Sequence, residues 1–330
     1  VQAEVADGSV TASKMAAGSV SKSSLDATIL KYLKPEIKSL PQVSTIYAGG
    51  DGSVSFSAEG KYLNYQWKKE GSSLTGETNA TLTITDANAT LHDGNYSVVV
   101  SNDFGNVESG IVAVQVSDAL MNDLVAWWKF DETSGTVTYD SSGNGNDGNL
   151  TGGPTWATGK IGGALSFDGA DDYVSFPVKS YPLGNSASVS FWAFGGSNLP
   201  NNNALFSVGN ASTSALLNIH LTWAGNYVLY FDLGNTSQQD RIKKIGTAND
   251  FKGSWQFWNI SKDNVTGTMS LYKNGQVWFA ETGKNAALAT ISELEFFRIG
   301  KKYHGLIDDV RIYDRALSAA EVQALYNMGQ

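Results

Sequence analysis

Apolar and polar side chains alternate through most of this chain. In residues 217–223, Leu217, Ile219, Leu221 and Trp223 share one parity and Asn218, His220 and Thr222 the other. That is the pattern of a strand with one buried face. Val189, Phe191 and Ala193 alternate in the same way with Ser190, Trp192 and Phe194. Shorter segments recur from Val43 to Val116: Val54 with Phe56, Tyr65 with Trp67, Leu82 with Ile84, Tyr96 with Val98 and Val100, and Val112 with Val114 and Val116. Turn formers such as Gly71-Ser72-Ser73 and Asp93-Gly94-Asn95 separate them, so about seven short strands are expected there. Only the end of the chain reads as helix. Ser318 with Glu321 forms a capping box, and Val322, Leu325 and Tyr326 follow at helical spacing.

The chain of 330 residues has room for two cores. Charged residues make up only 17%, and Gly alone numbers 35, which suits short strands joined by polar loops. The formal net charge of −9 argues against nucleic acid and anionic membrane surfaces as partners. No apolar run approaches the ~20 residues of a membrane helix, so no membrane insertion is expected. The absence of cysteine excludes disulfides, thiolate metal sites and cysteine nucleophiles.

Residues 1–41 stand apart. Asp7-Gly8-Ser9-Val10 and the following residues to Met15 are echoed ten residues later by Ala17-Gly18-Ser19-Val20 and onward to Leu25. These copies resemble small-residue repeats of phage tail fibres and bacterial surface stalks, which are often trimeric. An apolar stretch follows, with Ile29, Leu30, Leu33, Ile37 and Leu40 interrupted by Pro35. Two readings stay open: a flexible linker with a broken helix, or a stalk that assembles a homotrimer.

Residues 42–118 resemble a cysteine-free immunoglobulin-like domain of bacterial surface proteins. Trp67 follows Phe56 at the spacing of the strand C tryptophan after the first core cysteine, and Asp93-Gly94-Asn95-Tyr96-Ser97-Val98 resembles the stretch that carries the tyrosine corner. Phe56 and Val98 would replace the two cysteines. Residues 119–330 resemble the laminin-G-like jelly rolls of the concanavalin A-like class. The phrases that carry this likeness are Leu124 to Glu132, the loop Asp140 to Gly148, Gly162 to Gly169, the Asn274-Gly275 hairpin, Gly305 to Tyr313, and Arg315-Ala316-Leu317-Ser318 with Glu321. The expected fold is therefore all-β, an immunoglobulin-like sandwich followed by a concanavalin A-like jelly roll.

The second resemblance implies a structural calcium, whose matching positions are Asp131, Asp168 and Asp308. The competing reading is that these aspartates cap turns and accept backbone N–H groups. Relatives of this architecture include retaining glycoside hydrolases, whose two carboxylates lie about 5–5.5 Å apart at alternating strand positions. No such run occurs; Glu293-Leu294-Glu295 is the nearest, and Asp171-Asp172 and Asp308-Asp309 are adjacent pairs that a regular strand would send to opposite faces. His92, His220 and His304 stand alone. No catalytic residue is assigned, and the chain is not expected to be an enzyme.

Two functions remain. The jelly roll could bind a polysaccharide or a glycoprotein glycan, using rings against sugar faces and polar side chains against hydroxyls. The 9 Trp and 14 Tyr can supply such platforms. The face bearing Asn218 and His220 is polar, as a solvent-facing sheet should be; Tyr230 and Asp232 would join it, and Trp192 also if its face is open. Alternatively the chain is a structural or adhesive element of a surface stalk. Either function places the protein outside the cell, secreted or at the surface.

Overall fold

A computed structural model describes residues 33–330, except 44, 183, 198–203, 213–215 and 224–226. The repeats before residue 33, and the homotrimer they were expected to mediate, lie outside the described residues. The chain divides into two compact units, Val1–Asp118 and Ala119–Gln330.

In the first unit a five-stranded sheet contains Asn64–Lys69, Ser72–Ser73, Gly94–Asn102, Gly105–Glu108 and Val112–Val114. A three-stranded sheet of Gln42–Val43, Gly52–Ser55 and Leu82–Ile84 shares its core. Alternation explains the packing: Val54, Trp67, Leu82, Ile84, Val98 and Val100 are buried while their neighbours point outward. The Tyr96 hydroxyl donates to the carbonyl of His92 at 2.9 Å, tying the strand to the turn before it. Phe56, expected in the core, is only half buried and lies edge-on to Trp67 at 5.6 Å; Val54 takes the enclosed position. From Lys34 to Leu40 the described residues form no helix. Proline removes a donor and clashes with the preceding turn, and Glu36–Ile37 pairs instead with Ala58–Glu59.

The second unit is a sandwich of two eight-stranded sheets. One sheet runs Thr155–Thr158, Gly163–Asp168, His304–Tyr313, Ala187–Gly195, Trp255–Asp263, Thr268–Lys273 and Gln276–Glu281, with Leu124–Trp128 also paired to strand 304–313. The other runs Val137–Thr138, Gly148–Thr151, Tyr173–Phe176, Phe296–Lys301, Ala204–Gly209, Leu217–Trp223, Val228–Gly234 and Gln239–Ile245. Alternate residues such as Phe191, Phe206, Ile219, Phe231 and Trp258 fill one continuous core between them. The hairpin at Asn274-Gly275 has φ of 51° and 79° at its two residues, the left-handed pair that matches the twist of its strands.

The helix Ala319–Asn327 begins on the expected capping box: Ser318 Oγ accepts from the Glu321 N–H, and Glu321 returns a bond to the Ser318 N–H at 2.8 Å. The helix docks on the outward face of the first sheet. The Leu317 N–H bonds Ser188 Oγ at 2.9 Å, and Tyr326 stacks on Trp192 with ring centroids 5.7 Å apart. No comparable helix lies on the outward face of the other sheet among the described residues. No described helix is long and apolar enough to cross a membrane.

Candidate functional site

The outward face of the second sheet carries a polar row that crosses six strands. Ser175 lies opposite Arg298, Arg298 opposite Ser207, Ser207 opposite Asn218, Asn218 opposite Asp232, and Asp232 opposite Arg241. Each is flanked along its own strand by buried residues, for example Phe297 and Ile299 beside Arg298. Parity therefore sends the whole row outward. A second row places His220 opposite Tyr230, and Tyr230 opposite Lys243.

The sheet thus brings together four residues expected from the sequence: Asn218, His220, Tyr230 and Asp232. The Asn218 amide lies 2.7 Å from His220 Nε2. With the amide nitrogen donating, His220 accepts at Nε2 and carries its proton on Nδ1. The His220 and Tyr230 rings meet edge to face at 6.5 Å. Asp232 is enclosed, and the Arg241 fork grips both its oxygens, with Nη2 to Oδ2 at 2.9 Å. The same guanidinium lies 5.0 Å from the Tyr230 ring centroid. Arg298 sits 5.1 Å from the ring of Tyr173 and 4.8 Å from that of Phe296. Chemically this is a surface of rings, amides, hydroxyls and guanidinium groups. It can stack on and hydrogen-bond a polyhydroxylated ligand.

Sequence reasoning missed Ser175, Arg298, Ser207, Arg241 and Lys243. The alternation of Phe297 and Ile299 with Arg298 contained a local signal, but the pairing of distant strands did not.

Trp192, the fifth expected residue, belongs elsewhere. It is 1% exposed on the opposite sheet, between Phe257 at 5.3 Å and Tyr326 of the C-terminal helix. Its strand parity does turn it outward, but the helix covers that face.

The expected calcium ligands do not form one group: Asp131 and Asp308 share a turn, and Asp168 lies apart. Asp308 is fully buried; its Oδ2 accepts the Lys160 and Ile161 N–H groups, both at 2.8 Å. Asp131 Oδ1 accepts the Gly163 N–H at 2.6 Å. The two carboxylates hold the 159–163 turn from beneath, which explains its glycines: a Cβ on Gly162, where φ is +62°, would lie 2.3 Å from Asp131 Oδ1. Asp168 lies opposite His304, four residues from Asp308 along the strand, a distance of about 13 Å. It joins Asp171 and Asp172 instead, each offering an oxygen within 4.8 Å of the others. The Asp168 N–H donates to Asp172 Oδ2 at 2.9 Å, and Asp168 Oδ1 accepts from Ala170 at 2.8 Å. Burial, reinforced by the two neighbouring carboxylates, pushes the Asp172 carboxyl up.

Adjacency of the acid pairs does not separate them as a regular strand would. Asp171 and Asp172 lie in a turn. A bulge at Asp308-Asp309, where Asp309 has φ 47°, leaves Ile307 and Val310 in the core and puts both carboxylates on the outer side. Neither is open: Asp308 is 0% and Asp309 4% exposed. Glu293 and Glu295 brace loops, Glu293 accepting from Thr236 and Thr290, and Glu295 from the Ala211 N–H. A separate cleft of about 600 Å³ is lined by Asp131, Glu132 and Trp156 among others. Its two carboxylates are engaged by the Gly163 and Tyr139 N–H groups.

Residues 168–323 match the family described as the concanavalin A-like lectin/glucanases superfamily. This stretch is a laminin G-like domain of that superfamily. No curated protein matches the chain. Among solved structures, domain 4 of AbnA, an extracellular arabinanase from Geobacillus stearothermophilus crystallised with arabinotriose, shares 26% identity at a TM-score of 0.48, covering 63% of this chain and 98% of that one. A structure described as HCR/D shares 14% identity at a TM-score of 0.50, covering 64% of this chain and 52% of that one. The binding domain of botulinum neurotoxin DC in complex with SialylT shares 18% at 0.49, covering 64% and 53%. The chain thus spans about half the length of the last two. At 14% identity the HCR/D likeness concerns the fold alone.

Proposed function

We propose that the laminin G-like domain is a non-catalytic module of an exported or surface protein that binds glycans on the outward face of its second sheet. The observation that carries this reading is the assembly of Asn218, His220, Tyr230 and Asp232, with Arg241 and Arg298, on a face that no described helix covers. Membership of a lectin and glucanase superfamily agrees with it. A non-catalytic role is supported by Asp131, Glu132, Asp232, Glu293, Glu295 and Asp308, each engaged by backbone groups, a hydroxyl or an arginine. The first unit serves as an immunoglobulin-like spacer on this reading, supported by buried Trp67 and the Tyr96 hydroxyl bond to His92.

A glycan array tests the proposal. The protein is expected to bind a defined subset of glycans. Asn218→Ala and His220→Ala should each weaken binding about tenfold, as expected for the loss of one or two hydrogen bonds, with little change in melting temperature for Asn218→Ala and a modest fall for the buried His220. An array without binding, or binding indifferent to both changes, would overturn the assignment.

Calcium is proposed for Asp168, Asp171 and Asp172. The ion takes six to eight oxygens at 2.3–2.6 Å, so three oxygens within 4.8 Å of one another fit one coordination sphere. At a hundredfold excess over its dissociation constant, binding adds about 2.7 kcal/mol, or roughly 5–10 °C in melting temperature for a domain of this size. The rise should vanish with chelator and in Asp171→Asn. A melting temperature unmoved by millimolar calcium contradicts the site.

A further inference from the structure

The glycan-binding face carries an arginine that no ion pair employs among the described residues. The chain has four arginines. Arg241 pairs with Asp232, Arg311 with Asp309, and Arg315 with Glu321. Arg298 has no carboxylate and no hydrogen-bond partner among the described residues; its contacts are the rings of Tyr173 and Phe296. It is half buried and sits mid-sheet, with the serines of two neighbouring strands, Ser175 and Ser207, on either side.

We infer that this face selects glycans bearing an anionic substituent, a uronate carboxylate or an ester sulfate, with Arg298 as the residue that recognises the charge. The inference rests on the glycan-binding reading and gives it a ligand class. A planar guanidinium flanked by rings is held in orientation, and its fork matches two oxygens of a carboxylate or sulfate. Asp232 is the only carboxylate in the two polar rows, and Arg241 already neutralises it. Arg298 and the exposed Lys243 are left without a counter-charge among the described residues. A neutral sugar would leave the Arg298 fork satisfied only by hydroxyls or water, whereas an anionic one completes it.

The overall charge of −9 does not forbid this selection. At physiological salt, charges more than about 8 Å away are largely screened, so contact at the strip outweighs distant repulsion. The charge does predict that association is not accelerated by long-range steering.

The experiment is affinity electrophoresis followed by calorimetry on two polymer classes. Polygalacturonate and chondroitin sulfate form the anionic arm, arabinan and laminarin the neutral one. The wild type is expected to prefer one or both anionic polymers. Arg298→Gln should lower that affinity about 10–100-fold, far more than it lowers any neutral binding, with the melting temperature unchanged, and Arg298→Lys should recover part of it. Preference for polygalacturonate identifies a carboxylate ligand; preference for chondroitin sulfate that is lost with desulfated chondroitin identifies a sulfate. Equal binding of both classes, with Arg298→Gln behaving as wild type, overturns the inference and leaves glycan binding intact. Failure to bind any polymer or array glycan removes the reading beneath it as well.

Discussion

Asp309→Ala is expected to destabilise the sandwich by about 3–5 kcal/mol, the cost of leaving a buried charge without its partner. Arg311 is 2% exposed and lies over the Trp127 ring at 4.0 Å. Asp309 Oδ1 accepts from Arg311 Nη2 at 3.3 Å and from Trp127 Nε1. Removing the carboxylate strips the guanidinium of its counter-charge and leaves the indole N–H without an acceptor. Asp309 also has φ 47°, where alanine is less at ease than aspartate. A second variant separates these effects. Adding Arg311→Met to Asp309→Ala removes the orphaned charge but keeps the backbone strain, so the double variant should regain most of the lost stability. Urea unfolding measures both. A double variant no more stable than the single one would show that the ion pair is not what holds this layer.

Between pH 5 and 9 the protein is expected to lose stability progressively, and Asp308→Asn to lose less of it. Burial, reinforced by the neighbouring Asp309 carboxylate, pushes the Asp308 carboxyl up to about 8; an unfolded aspartate titrates near 3.9. With the folded value the higher one, the group's contribution is complete below about pH 4. It falls as pH rises towards 8, at up to about 1.4 kcal/mol per pH unit, and is constant above. Asp308 Oδ1 has no partner to stabilise its charge, while Oδ2 serves the Lys160 and Ile161 N–H groups. An asparagine oxygen can accept the same two bonds without ionising. Carboxylates with depressed values, such as Glu293, held down to about 2 chiefly by the Thr236 hydroxyl bond, act in the opposite sense and only in acid. The comparison therefore belongs above pH 5. Parallel melting profiles for wild type and Asp308→Asn would contradict this account.

Local parity was legible in the sequence, and distant pairing was not. Strand alternation is a property of neighbouring residues, so the outward positions of Asn218 and His220 could be read directly. Their alignment with Arg298 depends on strand 296–301 pairing with strand 204–209, which lies about ninety residues earlier in the chain. No local pattern encodes that register. Trp192 shows the same limit from the other side. Its parity does turn it out of the core, but the helix beginning at Ala319 covers it. The apolar residues of that helix, Val322, Leu325 and Tyr326, implied that some surface had to receive it. The bulge at Asp308-Asp309 broke the period of two on which the separation of that acid pair had been argued. Asp168 was placed with the wrong partners because the turn that follows it, rather than the strand it ends, determines its neighbours.

Hydroxyl-radical footprinting with a bound polysaccharide tests most directly which face of the laminin G-like domain meets its ligand. Saturating ligand should protect Tyr173, Tyr230 and Phe296 from oxidation, and leave Tyr62 and Tyr139, which are 90% and 61% exposed, as reactive as before. Protection at Trp156 beside the separate cleft, with Tyr230 unchanged, would move the binding site off this sheet and contradict the account.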